Sequence, residues 1–201
     1  MKKFYLACAA AALCGLCLSS TAQASPLKNY NAGKVAIDAG ITLPSSFEGD
    51  NYKMSKSNSG YVGGTLGLGS NTAINYKWNN FKGDEGKIRT HQLNLLYKIL
   101  PGISAYAGYM KADTNTDIGG HDKNSLHGGL QASYDIPALF TIWGSIGAGT
   151  KSNSYEVGIS KPLFNNLDLN LSYYDHKFKD ALSKNRDLDA KGVNLGLTLK
   201  F

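Results

Sequence analysis

The sequence predicts an all-β protein, a transmembrane antiparallel up-and-down β-barrel of about ten strands, with eight strands as the alternative. Three observations support this prediction: a recurring two-residue alternation of side chains, connections that alternate between short and long, and the composition. The 201 residues include 23 glycines and 12 tyrosines but only 5 prolines, which is typical of strands joined by tight turns. Beyond the N-terminal leader, no segment is apolar over the length that a membrane-spanning helix requires.

The alternation is clearest in the last ten residues. One parity carries only apolar side chains, namely Val193, Leu195, Leu197, Leu199 and Phe201. The other parity carries Asn, Gly, Thr and Lys. Because successive side chains of a strand point to opposite faces, this segment has one apolar and one polar face.

The same pattern recurs in nine further segments. They span 34–43, 60–69, 72–81, 88–99, 103–112, 125–135, 139–149, 155–160 and 167–174. About ten residues with a rise of ~3.3 Å each and a tilt near 45° cross roughly 23 Å, close to the apolar height of membrane barrels.

The connections between these segments alternate in kind. Those after the first, third, fifth and ninth strands are polar and mostly long, and we expect loops over 45–59, 82–87, 113–124 and 177–190, with Pro44 ending the first strand. Those after the second, fourth, sixth and eighth strands are short. This alternation predicts an even strand number, with both chain ends on the short-turn, periplasmic side.

Aromatic residues favour a barrel in lipid over the alternative, a secreted soluble β-sandwich. They fall near both ends of the apolar faces and predict two interfacial girdles. Trp78, Tyr109 and Tyr155 lie towards the long connections. Tyr97, Tyr134, Phe140 and Phe201 lie towards the short ones.

The N-terminus predicts export. Residues 1–24 combine Lys2 and Lys3 with an apolar stretch and a small-residue cleavage pattern ending at Ala24, as in a cleaved signal peptide. The remaining residues, 25–201, are expected to form a single barrel domain. All three cysteines lie in the leader, so the mature chain is expected to lack disulfides and Cys-ligated metals.

Taken together, these features resemble the Gram-negative outer-membrane β-barrel superfamily. The final strand, 193–201, is similar to the C-terminal signal that the family's assembly machinery reads, with Leu197, Leu199 and Phe201 as its apolar positions. Among small members, residues 155–201 are faintly similar to YfaZ-type proteins. The resemblance implies an outer-membrane location, with outer-membrane lipid, lipopolysaccharide and the assembly machinery as partners, but it implies no activity.

Charged residues on the polar faces suggest a lumen, which we expect to be lined by Asp38, Lys77, Arg89, Glu156 and Asp168, with Lys34, Lys98 and Lys200 near its periplasmic end. These charges allow two interpretations, a narrow porin-like channel for ions or small solutes and a packed, structural interior. A barrel of about ten strands has a narrow bore. Four large aromatic residues are expected to fill it, namely Tyr61, Tyr106, Trp143 and Tyr174. The packed interior is therefore favoured.

Two other functions remain as alternatives. The segment Lys177–Lys191 could bind lipopolysaccharide phosphates or a host surface, which would make the protein an adhesin or a ligand-binding barrel. An omptin-like or lipid A-modifying enzyme would need catalytic groups at the rim, where the candidates are Asp113, Asp117, His121, Asp122, the Asp175–His176 pair, and His127 near Ser125.

The spacing of these candidates matches no catalytic motif, so we predict that the protein is not an enzyme and has no catalytic residues. We also expect no metal and no cofactor. The net charge of +6 forms no basic stripe with interleaved aromatic residues, which argues against a nucleic-acid partner. The sequence leaves the oligomeric state open.

Overall fold

The computed structural model describes residues 26–49, 52–53, 55–83, 86–116, 122–137, 139–183 and 186–201. The predicted signal peptide, Asp117 and His121 lie outside these residues. Within them, no helix is both long enough and apolar enough to cross a membrane.

The residues that the structure describes form eleven strands. They are β1 (Val35–Gly49), β2 (Tyr52–Lys53), β3 (Ser59–Gly69), β4 (Thr72–Gly83), β5 (Gly86–Leu100), β6 (Ile103–Thr116), β7 (Lys123–Ile136), β8 (Phe140–Gly149), β9 (Ser152–Phe164), β10 (Leu167–Ser183) and β11 (Arg186–Lys200).

Ten of these strands close into a barrel, which confirms the predicted fold class with ten strands rather than eight. Neighbours along the chain pair antiparallel from β3 to β11, β3 pairs with β1, and β11 pairs with β1 to complete the cylinder. The two-residue strand β2 pairs only with the far end of β1. Closure leaves no unpaired edge among the long strands, as a sheet in hydrocarbon requires.

One end of the barrel, the turn end, carries the short connections and both termini of the described chain. The β3–β4 turn holds Ser70 and Asn71 at positive φ, 50° and 66°, as the two central residues of a tight type I′ hairpin require. Val35 and Phe201 exchange two backbone hydrogen bonds here, with N···O distances of 3.2 and 2.9 Å. The first and last barrel strands are thereby joined at their ends.

At the opposite end, the hairpin end, much of what the sequence predicts as loop is strand. Within 82–87, β4 and β5 stay paired up to Gly83 and Gly86. Within 177–190, β10 and β11 run to Ser183 and from Arg186. Pro44 does not end β1, because the strand continues to Gly49 through a register shift between Pro44 and Ser46, where a bulge tolerates the missing N–H.

The strands that extend furthest form two walls at the hairpin end. The β4–β6 wall consists of the far ends of β4, β5 and β6, and the β10–β1 wall consists of the far ends of β10, β11 and β1. Both walls turn apolar residues inward, the reverse of the pattern in the lipid-facing band. These buried residues form one cluster, made of Phe47, Phe81, Ile88, Met110, Ala112, Tyr174, Phe178, Ala181, Leu188 and Ala190.

Candidate functional site in the barrel lumen

The apolar cluster between the two walls lies across the hairpin end of the lumen. The ring of Phe81, on one wall, lies 5.6 Å from that of Tyr174 and 5.5 Å from that of Phe178, both on the other, measured between ring centroids. Ile88 and Leu188 are fully buried beside them. These contacts form a mostly apolar cap at this end of the lumen, and the ring of His176 packs among the same aromatic side chains.

Below this cap the lumen is polar, and its centre is almost full. The Oγ of Ser172 donates to Oε1 of Glu156 at 2.8 Å, and the Oγ1 of Thr42 donates to Oδ1 of Asn194, also at 2.8 Å. A central cavity of about 30 Å³ remains, room for one or two water molecules. Its lining includes Asn75, Lys77, Asn94, Glu156, His176 and Asn194.

Aromatic side chains occupy most of the bore, as the sequence predicts. Tyr61, Trp143 and Tyr174 are each at most 2% exposed, and Nε1 of Trp143 donates to Oγ of Ser160 at 2.8 Å. Tyr106 is half-buried, and its hydroxyl donates to the carbonyl oxygen of Ile146 at 3.2 Å. The four rings divide the interior into small spaces.

Glycines make room for two of these rings. A Cβ on Gly158 would lie 2.6 Å from Cζ2 of Trp143, and a Cβ on Gly196 would collide with the hydroxyl of Tyr61. An alanine at either position would force a buried aromatic side chain to move. The small residues of the lumen face therefore serve to pack large ones.

Four of the five predicted lumen charges point inward. Asp38, Glu156 and Asp168 are each at most 7% exposed, and Lys77 is half-buried against the central cavity. Asp168 pairs with Lys200, with 2.5 Å between Oδ2 and Nζ. Whether any of these residues governs ion passage stays a prediction.

The inward position expected for Arg89 is wrong. Its side chain is exposed, while its neighbours Ile88 and Thr90 are fully buried. In a strand these three residues alternate faces, so Arg89 lies on the outer surface of the β4–β6 wall. It shares this parity with the lipid-facing Leu93 and Leu95, and it tolerates an outward position because it lies beyond the apolar band.

A segment that the sequence did not single out lies across the turn end, with clefts of about 610 and 350 Å³ beside it. Leu27 and Tyr30 precede β1, and both side chains are buried in a second apolar cluster with Ala36, Ala73 and Leu96. The backbone N–H of Gly69 donates to the carbonyl oxygen of Tyr30 at 2.8 Å. Residues 26–34 thus lie across the mouth of the barrel.

Polar contacts anchor this N-terminal segment to three strands. The hydroxyl of Tyr30 donates to Oγ of Ser104 at 3.0 Å and accepts from Nε2 of Gln131 at 3.3 Å. Burial raises the pKa of Tyr30, which keeps the phenol protonated and able to donate. Lys28 pairs with Asp135 at 2.7 Å between Nζ and Oδ1, and its carbonyl oxygen accepts from Nζ of Lys98 at 2.6 Å.

The predicted girdle residues all lie on the outer face. Tyr97, Tyr109, Tyr134, Tyr155 and Phe201 are exposed, and Trp78 and Phe140 are half-buried. The predicted assembly signal lies where β11 pairs with β1 to close the barrel. There Leu197 is opposite Ala39 and Leu199 is opposite Ile37. Its recognition by other proteins stays a prediction.

The candidate catalytic residues that the structure describes make other contacts. Oγ of Ser125 accepts from the backbone N–H of Lys151 at 3.1 Å, while the ring of His127 packs edge-on against Tyr106, with centroids 6.0 Å apart. Asp175 pairs with Lys191 at 2.9 Å between Oδ2 and Nζ. Across the described residues, no three His, Cys, Asp or Glu side chains are arranged to hold a metal ion.

Comparison with known proteins supplies the family. Solved structures that resemble this one include the attachment invasion locus protein Ail of Yersinia pestis, with 14% identity over 85% of this chain and 99% of that one and a TM-score of 0.40. The KdgM porin shows 12% identity over 83% and 99% of the two chains and a TM-score of 0.43. Neisserial surface protein A shows 15% identity over 84% and 96%, with a TM-score of 0.42.

No curated protein matches the sequence. The family model of the outer membrane protein β-barrel domain, however, matches residues 9–201, which is nearly the whole chain and includes every barrel strand. The chain therefore belongs to the outer-membrane β-barrel family.

Proposed function

We propose that the protein is a small structural outer-membrane barrel whose lumen is closed to ions and solutes. The observation that carries this proposal is the small volume of the central cavity, about 30 Å³, which lies between the apolar cap and the N-terminal segment. A conducting pore needs a continuous water-filled path with polar groups along it. In this barrel, packed side chains interrupt such a path at three levels.

The three levels differ in chemistry, which makes the closure robust. Phe81 and Phe178 contribute apolar packing at the hairpin end, Trp143 fills the middle, and Tyr30 hydrogen-bonds across the turn end. Loss of one side chain leaves the other two levels in place. The narrow channel, the alternative interpretation of the same lumen charges, would require all three levels to rearrange together.

Planar-bilayer recordings of the purified full-length protein test the proposal. We expect no stable conductance steps from the wild-type protein, under conditions where an open porin in the same membrane conducts. A shift in gel migration between unheated and boiled samples verifies that the barrel is folded. Reproducible steps whose ion selectivity changes in Asp38→Asn or Lys77→Gln would overturn the closed barrel in favour of a narrow channel.

Arg89→Gln is the matched control in these recordings. Arg89 is as charged as Lys77 but lies on the outer surface, so its replacement leaves the lumen unchanged. A current that responds to Lys77→Gln and ignores Arg89→Gln would come from the lumen. A current that responds equally to both would indicate leakage around the barrel.

Ligand binding by the two walls is a second candidate function, because paired strands with a shared apolar core give a rigid outer surface. Deleting residues 82–87 together with 179–188, and joining the strands with short turns, removes the tips of both walls. Binding to cells or to purified lipopolysaccharide that is lost while heat-modifiable migration persists would support this candidate. Unchanged binding would reject it.

A further inference from the structure

The smaller of the two clefts beside the N-terminal segment borders the central cavity. The lining of this cleft, which has a volume of about 350 Å³, includes Tyr30, Ser104, Gln131 and Ser133. Gln131 also lines the central cavity of about 30 Å³. The two spaces therefore share a wall at Gln131.

Strand pairing shows how the cleft and the cavity follow each other along the lumen. Four successive register partners on β6, β7, β8 and β9 are buried and polar, namely Ser104, Gln131, Ser145 and Glu156. The first two line the cleft, and the last three line the central cavity. A continuous row of polar side chains therefore connects the turn end with the middle of the barrel.

Tyr30 covers this row on the side of the cleft. Its hydroxyl donates to Oγ of Ser104 at 3.0 Å and accepts from Nε2 of Gln131 at 3.3 Å. Tyr30 is 3% exposed and belongs to the same apolar cluster as Leu96, which lines the central cavity. Tyr30 thus lies at the boundary between the cleft and the cavity.

The N-terminal segment is attached differently along its two sides. Backbone hydrogen bonds join residues 30–34 to the β3–β4 hairpin, where the N–H of Gly69 donates to the carbonyl oxygen of Tyr30 at 2.8 Å. On the opposite side the segment is held by side chains, those of Tyr30 and the pair Lys28–Asp135, in which both partners are about half exposed. An exposed ion pair adds little stability.

The segment can move without opening the barrel. Residues 26–34 precede β1, and closure of the cylinder depends on the pairing of β1 with β11. The β3–β4 hairpin therefore supplies a hinge, and the hydrogen bonds of Tyr30 supply a latch.

We propose that the N-terminal segment is a lid over a polar pocket that faces the periplasm, with Tyr30 as its latch. The turn end of a family member lies on the periplasmic side. When Tyr30 leaves Ser104 and Gln131, the cleft and the central cavity join. The joined pocket is lined by amides, hydroxyls and the opposite charges of Lys77 and Glu156, a lining that suits small uncharged polar molecules. The pocket ends blindly at the apolar cap, so it rests on the closed barrel proposed above.

Thiol labelling of the purified, folded full-length protein in detergent tests the lid. The three cysteines of the sequence all lie in the predicted leader, so the protein without an introduced cysteine is the blank. Ser145→Cys places a thiol in the central cavity, and Ser133→Cys places one in the cleft outside the latch.

We expect methyl methanethiosulfonate, a small uncharged reagent, to modify Ser145→Cys at least about tenfold faster when Tyr30→Ala is also present, because the latch loses its ring and two hydrogen bonds. Ser133→Cys should react at the same rate with and without Tyr30→Ala. A polymer-linked maleimide should leave Ser145→Cys unmodified in both backgrounds, which distinguishes an open lid from an unfolded barrel. Should Tyr30→Ala fail to fold, Tyr30→Leu keeps an apolar side chain in the cluster and should give the same acceleration.

Tyr30→Phe is the matched control, because it keeps the ring in place. Labelling of Ser145→Cys in this variant should stay closer to the wild-type rate than to the rate with Tyr30→Ala. Equal labelling with and without Tyr30→Ala, or labelling as fast with Tyr30→Phe as with Tyr30→Ala, would overturn the lid. Faster modification by charged methanethiosulfonates, relative to their rates at Ser133→Cys, would overturn the preference for uncharged molecules. Conductance steps from the wild-type protein would instead overturn the closed barrel, so the two proposals fail separately.

Discussion

The two walls at the hairpin end have the same construction but differ in the ion pairs on their outer faces. Each turns apolar side chains into the shared cluster and polar ones outward. On the β10–β1 wall, Lys191 pairs with Asp175 at 2.9 Å and Lys177 with Asp187 at 3.0 Å. On the β4–β6 wall, Lys111 pairs with Asp113 at 2.7 Å between Nζ and Oδ1, while Arg89 makes no ion pair with a described residue. The packing of the barrel therefore fixes which side chains face inward, while the charges on the outer faces are free to differ between the walls.

The largest effect is expected from the cluster that joins the walls. Phe81→Ala and Phe178→Ala should each lower the free energy of unfolding by about 3–5 kcal/mol, because each leaves a cavity in packed surroundings. Denaturant unfolding in detergent measures the loss. Because the two rings touch, the double variant should lose less than the sum of the single ones.

Leu126→Ala, at a lipid-facing position that is 67% exposed, serves as the reference, and we expect it to cost less than either phenylalanine. Losses below about 1 kcal/mol for both phenylalanine variants would mean that the walls move as independent hairpins. In that case the two walls would not pack as one unit.

An intermediate effect is expected in amide hydrogen exchange. Phe178 is paired with both Leu188 and Ser152, so its neighbourhood belongs to a continuous sheet rather than to a loop. Amides of the paired residues at 188–190 should exchange at least about 100-fold more slowly than in an unpaired segment. Exchange within the dead time of the measurement at these positions would contradict the strand extensions.

The smallest effect should come from the surface charges. Lys191→Gln removes an exposed ion pair and should lower the free energy of unfolding by about 0.2–1 kcal/mol, and less at high salt. Arg89→Gln removes an exposed charge that makes no ion pair with a described residue, so it should leave stability nearly unchanged. Equal losses in the two variants would indicate that Arg89 also has an acidic partner.

The sequence predicts the lipid-facing part of the fold well, because hydrocarbon imposes one rule on it. Residues such as Leu93, Leu95 and Tyr97 must face lipid, so every second position is apolar and the ten strands can be recognised. Beyond the band the rule reverses. Ile88 and Leu188 point inward because the outer surface there meets water, and charged segments that are actually strands were therefore predicted as loops.

The candidate site was predicted in part for the same reason. Tyr61, Trp143 and Tyr174 are large residues on the lumen parity, so their filling of a narrow bore follows from alternation alone. Arg89 was misplaced because charge was taken to indicate the lumen, although its own parity matches that of Leu93. Tyr30 had no periodic pattern to reveal it, since it precedes the first strand and acquires its partners Ser104 and Gln131 only on folding.

Alternation by itself determined that the chain forms a closed antiparallel barrel, because each strand must satisfy its backbone hydrogen bonds and present apolar side chains to lipid. Only the tertiary structure decided which side chains meet in the lumen, that the far ends of the strands form two walls and how the charges on those walls are paired. These properties depend on contacts between residues distant in the sequence, such as Phe81 with Phe178 and Tyr30 with Ser104. A two-residue period specifies the face on which a side chain lies, but not its neighbours across the lumen.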